Sequence, residues 1–98
     1  MAIEWKTATV DLATNSTEIS AEPCLVRGIY VNTVLSAHPC PIKDGTTGQI
    51  FTIPSASAAG LDIPFGPARF EENLTVDPDD AATGSITVTY VILGDAHG

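Results

Sequence analysis

From Ser85 to Leu93 the chain alternates with a period of two. Ile86, Val88, Tyr90 and Ile92 share one face, and Thr87 and Thr89 the other. Side chains of an extended strand point to opposite faces in turn, and β-branched and aromatic residues suit a pleated, half-buried surface, so the segment predicts a strand. The polar face fails at Val91 and Leu93. A strand apolar on both faces needs cover on both, and in so short a chain the second cover is expected from another copy.

The same period recurs upstream. Glu4 to Leu12 predicts a strand, with Trp5, Thr7, Thr9 and Asp11 on one face and Ala8, Val10 and Leu12 on the other. Ala13 to Ser16 reads as a turn, Thr17 to Ser20 as a short strand, and Ala21-Glu22-Pro23 as a break. Cys24 to Leu35 predicts a long strand in which Ile29, Val31 and Leu35 point one way and Tyr30 and Val34 the other. Gly28 inside it predicts a bulge or a close backbone approach. Cys40 to Asp44 and Gln49 to Ile53 form a hairpin across Gly45-Thr46-Thr47-Gly48.

Leu61 to Phe65 alternates too, but Pro64 restricts it to a sheet edge or an extended segment. Gly66-Pro67-Ala68 predicts a turn, Arg69-Phe70 and Leu74-Thr75-Val76 short strands, and Asp77 to Gly84 an acidic loop. The one helix-friendly patch, Ala56 to Ala59, is too short to hold a helix. The fold expected is all-β: a single antiparallel β-sandwich, jelly-roll-like, of seven to eight short strands. It is expected to span 1–98 as one domain, with 1–6 as an N-terminal arm and 94–98 as a mobile tail. The expected core is Val10, Leu12, Ile29, Val31, Ile50, Ile53, Ile63, Phe65, Val76, Ile86, Val88 and Tyr90.

Composition changes this picture in one respect. Charged residues make up only 16% of the chain, against roughly 25% in an average soluble domain. A small domain has a high ratio of surface to volume, so its surface must be rich in Ser and Thr, or partly covered by partners, or both. The net charge is −8, with Lys6, Arg27, Lys43 and Arg69 as the only cations. Phosphate backbones and anionic lipid surfaces are bound by clustered Lys and Arg, so neither nucleic acid nor membrane is an expected partner. Met1 to Trp5 lacks the basic and apolar regions of a secretory signal, which leads us to expect synthesis in the cytoplasm and free, buried thiols at Cys24 and Cys40.

Little of the chain points to chemistry. His38 and Cys40 lie two apart, as metal ligands on one strand face would, but a zinc site needs three or four converging ligands. Asp77-Pro78-Asp79-Asp80 gathers carboxylates without the spacing of a calcium loop, and a solvated acidic turn is expected. No nucleophile elbow or phosphate-cradling loop occurs. No catalytic, cofactor-binding or metal residue is therefore expected. Trp5, Val91 and Leu93 are the interface candidates.

Three segments carry a resemblance. They are Cys24 to Thr33 with its Gly28-Ile29-Tyr30-Val31, Ile42 to Gly48 with its Lys43-Asp44-Gly45, and Ile86 to Tyr90, with Arg69-Phe70 between the last two. Over residues 17–92 the chain resembles small all-β virion proteins of tailed bacteriophages. The resemblance implies a structural subunit that decorates or cements a capsid, often as a homotrimer bound to the major capsid protein, or sits in the tail. It also implies a place in the virion after synthesis in the host cytoplasm, and no catalytic residues. By analogy, Ala2 to Lys6 would be an arm reaching a neighbouring subunit. The rival reading from the residues themselves is a carbohydrate-binding β-sandwich.

Overall fold

The structure, a computed structural model, describes residues 5–13, 17–36, 38–45, 48–78 and 81–93. Its strands are β1 (Lys6–Asp11), β2 (Thr17–Ser20), β3 (Cys24–Thr33), β4 (Cys40–Asp44), β5 (Gly48–Ile53), β6 (Asp62–Phe70), β7 (Leu74–Val76) and β8 (Ser85–Ile92). They form two antiparallel four-stranded sheets, ordered β1-β8-β3-β6 and β2-β7-β4-β5. The pairing is nested: β1 lies on β8, β2 on β7, β3 on β6 and β4 on β5. The pairs β3–β8 and β4–β7 then join these ribbons into sheets. The chain is a β-sandwich.

The two inner faces make one core. Val10, Val26, Ile29, Val31, Phe70, Ile86 and Val88 come from the first sheet, and Ile42, Ile53, Leu74 and Val76 from the second. Alternation explains each choice, because β8 buries Ile86 and Val88 and turns Thr87 and Thr89 outward. Ile63, Phe65 and Tyr90 are only partly buried and pack on the core from its rim. Phe51 of β5 meets Phe65 of β6 edge to face, with centroids 5.4 Å apart. This contact closes the side of the sandwich where those two edge strands lie. The side chain of Ile50, the segment 94–98 and residues 1–4 of the expected arm lie outside the described residues.

Four expectations are corrected. Gly66-Pro67-Ala68 is no turn, because β6 runs unbroken from Asp62 to Phe70. Against β3 its register jumps from Val26↔Ala68 to Gly28↔Pro64, so the extra residues are absorbed as a bulge. The prolines are tolerated because β6 is an edge strand, where a missing N–H on the outer side breaks no ladder bond. Lys6, assigned to the arm, is paired with Tyr90 in β1. The long strand ends at Thr33, and Leu35 is instead tied by its N–H to the carbonyl of Ser57 (2.9 Å). Asp77 is half-buried and ion-paired with Lys43 (2.7 Å) rather than freely solvated.

Gly28 meets both readings of an interior strand glycine. The register slips beside it, and a Cβ there would stand 3.0 Å from the carbonyl oxygen of Ile63 on β6.

Candidate functional site

The bulge at Val26–Gly28 shapes the outer face of the β1-β8-β3-β6 sheet. It leaves Arg27 pointing outward beside Gly28, and past it Tyr30 and Asn32 continue on that face, since Ile29 and Val31 point inward. Arg27 places its guanidinium 5.6 Å from the ring centroid of Trp5, a cation–π contact across the sheet. Asn32 donates from Nδ2 to the Thr87 hydroxyl at 2.8 Å, and Thr87 exchanges a 3.2 Å bond with Thr9. One polar ladder thus crosses β3, β8 and β1.

Cross-strand register puts Tyr30 opposite Asp62 and Gly28 opposite Pro64 on β6. A shallow, open depression of about 330 Å³ lies between them, lined by Arg27, Gly28, Tyr30, Asp62, Pro64 and Thr89. Tyr30 remains 47% exposed. Its assignment to the outer face was legible from alternation. The convergence of Arg27 and Asp62 beside it was not, because nothing local pairs residue 27 with residue 62. The interior glycine was the one signal in the sequence that marked this spot.

At one end of the second sheet, Lys43-Asp44-Gly45 acts as a staple. The Asp44 carboxylate accepts N–H bonds from Glu71 (2.7 Å), Glu72 (2.7 Å) and Asn73 (3.3 Å), which holds the β6–β7 turn. Gly45, at φ 76°, donates its N–H to Asn73 Oδ1 at 3.0 Å. A Cβ there would collide with the Glu72 carboxylate. Lys43 binds Asp77 and so holds the segment after β7. The residues that mark the hairpin in the sequence are therefore the ones that fasten it to neighbouring loops.

Cys24 and Cys40 are free and fully buried. Desolvation, helped by the charge of Asp44, pushes the Cys24 thiol up to about 11 despite a hydrogen bond with Ser20. Desolvation, helped by Asp77, pushes Cys40 up to about 12. Such thiols are poor nucleophiles and poor metal ligands. His38 is half-buried while the Cys40 side chain turns into the core. Among the described residues no group of three or more His, Cys, Asp or Glu converges.

The interface candidates separate. Trp5 is half-buried and sits against Arg27 of its own chain. Val91 is only 2% exposed in the single chain, although it lies outside the central core cluster. It stands opposite Leu25 on the outer face, and the β1–β8 register continued by one residue brings Trp5 beside it. For Val91 the second cover expected from another copy is thus supplied within the chain. Leu93 is half-buried and donates its N–H to the Pro23 carbonyl at 3.0 Å.

Stability is expected to fall at both ends of the pH scale. Partial desolvation raises the Asp44 carboxyl, but the N–H bonds from Glu71, Glu72 and Asn73 outweigh it and hold it below its ordinary 3.8. A lowered carboxylate stabilises the fold above its unfolded value, and that contribution disappears as pH falls through the folded one. The cysteines act with the opposite sign. Their contribution is complete below 9.0 and is lost as pH rises through about 11 and about 12. Urea midpoints across pH test this. Asp44→Ala should cost about 2 kcal/mol at neutral pH and flatten the acid limb; an unchanged acid limb would overturn the role given to Asp44.

No protein-family model, no curated protein and no solved structure matches this chain.

Proposed function

We propose that the chain is a structural virion protein, a small subunit that assembles with copies of itself, as a trimer, and decorates or cements a capsid lattice. The observation that carries this reading is the nested pairing of β1 with β8, β2 with β7, β3 with β6 and β4 with β5. An antiparallel ribbon of four such pairs, folded over into two sheets, is a jelly roll, an architecture used by viral capsid and lectin domains. A fold names a class rather than an activity. The particle and the trimer come from the resemblance over residues 17–92.

Among the described residues, large apolar side chains are exposed at Tyr30 and, where the segment 57–61 runs along the end of β3, at Val34 and Leu61. Val34 is 62% and Leu61 41% exposed there. Burying such side chains favours association at roughly 25 cal/mol per Å² of apolar area, less the cost of lost freedom. Sedimentation at micromolar concentration should find a trimer, and the labelled subunit should bind emptied capsids. Val34→Asp with Leu61→Asp should weaken both. A dispersed monomer that ignores capsids would refute the reading.

A further inference from the structure

We infer that the depression beside the β3 bulge is a carbohydrate subsite that takes one neutral pyranose ring of a glycan. A pyranose presents an apolar face of C–H groups and a rim of hydroxyls. Recognition of it needs an aromatic surface flanked by a few fixed donors and acceptors. The depression has these parts. Tyr30 is the exposed aromatic, and its hydroxyl reaches toward the loop before β6, where a Cβ on Gly60 would stand 3.8 Å from it. Asp62 supplies a carboxylate acceptor and Thr89 a hydroxyl that donates or accepts, while the Arg27 side chain forms part of the wall and carries its guanidinium over Trp5.

The lining also narrows the ligand class. Arg27 and Asp62 carry opposite charges, so neither an anionic nor a cationic ligand meets a uniform field. About 330 Å³ is at the low end of the range for small-molecule sites, room for a sugar ring. Val34 and Leu61, the other exposed large apolar side chains among the described residues, are not part of the lining, although Leu61 adjoins Asp62.

Several parts are held in place before any ligand arrives. Arg27 is steadied over Trp5, and the Asn32–Thr87–Thr9 ladder stiffens the strands beneath. Gly28 raises no side chain into the opening. A shallow site with one aromatic implies affinity on the order of millimolar for a single ring, strengthened by multivalency if copies are displayed together.

The test uses the full chain, isotope-labelled, titrated in NMR with the methyl glycosides of glucose, galactose, mannose and N-acetylglucosamine. At least one should give saturable shifts centred on Arg27, Gly28, Tyr30, Asp62 and Thr89. Tyr30→Ala and Asp62→Ala should each lower its affinity at least tenfold while the amide shifts of core residues stay in place. The site is overturned if no glycoside gives saturable shifts, if the shifts centre elsewhere, or if Tyr30→Ala binds as the parent does. It is equally overturned if Tyr30→Ala changes sedimentation but not sugar binding, which would make the patch a protein contact. No capsid enters the experiment, so its failure and that of the assembly reading are separate outcomes.

Discussion

Replacing Phe70 with alanine is expected to cost about 3–5 kcal/mol. Phe70 is the largest of the fully buried side chains, with 0% exposure, and enters the core from the last position of β6 opposite Cys24 of β3. Truncation removes its transfer free energy and leaves a cavity between two sheets whose ladders resist collapse. A domain of this size is stable by roughly 5–15 kcal/mol, so the loss would consume a fifth or more of the total. Denaturant unfolding measures it, and Phe70→Leu, which keeps most of the volume, should cost about half as much. A loss under about 1 kcal/mol would take Phe70 out of the core.

Gly84→Ala is expected to be nearly as damaging, at about 3 kcal/mol, for a different reason. Gly84 sits at φ 109°, where side-chain-bearing residues are strained. A Cβ there would stand 2.7 Å from Leu35 Cδ2 and 2.9 Å from the carbonyl oxygen of Val34. Neighbouring bonds prevent the backbone from giving way. Gly84 accepts the Leu12 N–H at 2.9 Å, and Ser85 donates its own N–H to the Thr33 hydroxyl at 2.9 Å. Gly60 is the control. Its φ is 89°, but a Cβ would meet only the Tyr30 hydroxyl at 3.8 Å. Gly60→Ala should therefore show backbone strain alone, about 1–2 kcal/mol. Equal losses at the two glycines would refute the steric part of the argument.

Strand positions were legible because a pleat imposes a two-residue period that needs no distant partner. The alternation at Ile86–Val88 and Ile29–Val31 identified inward residues, and both pairs are in the core. Expectation failed where the deciding neighbour is remote. Phe70, Leu74 and Ile42 were left out of the expected core although all are fully buried. Ile42 and Leu74 sit in short strands with too few residues to establish a period, and Phe70 follows Gly66-Pro67, whose turn chemistry hides the nine-residue strand it ends. Gly66-Pro67 has the local chemistry of a turn, and what keeps it in a strand is the edge position of β6. The hairpin across Gly45 to Gly48 was expected, while the grip of Lys43 and Asp44 on residues 71–73 and 77 depends on the β4–β7 pairing.

By itself, then, the sequence determined an all-β chain, the positions of most of its strands, the outward face of Tyr30 and the shortage of charge. Each of these follows from local stereochemistry or from composition. Tertiary structure alone decided which strands pair, that Val91 finds its cover within the chain, and that Trp5, Arg27, Tyr30, Asp62 and Thr89 share one surface. Those five residues come from β8, β3, β6 and the approach to β1, far apart along the chain. Only the closure of the sheet, driven by burial of its other face, brings them together.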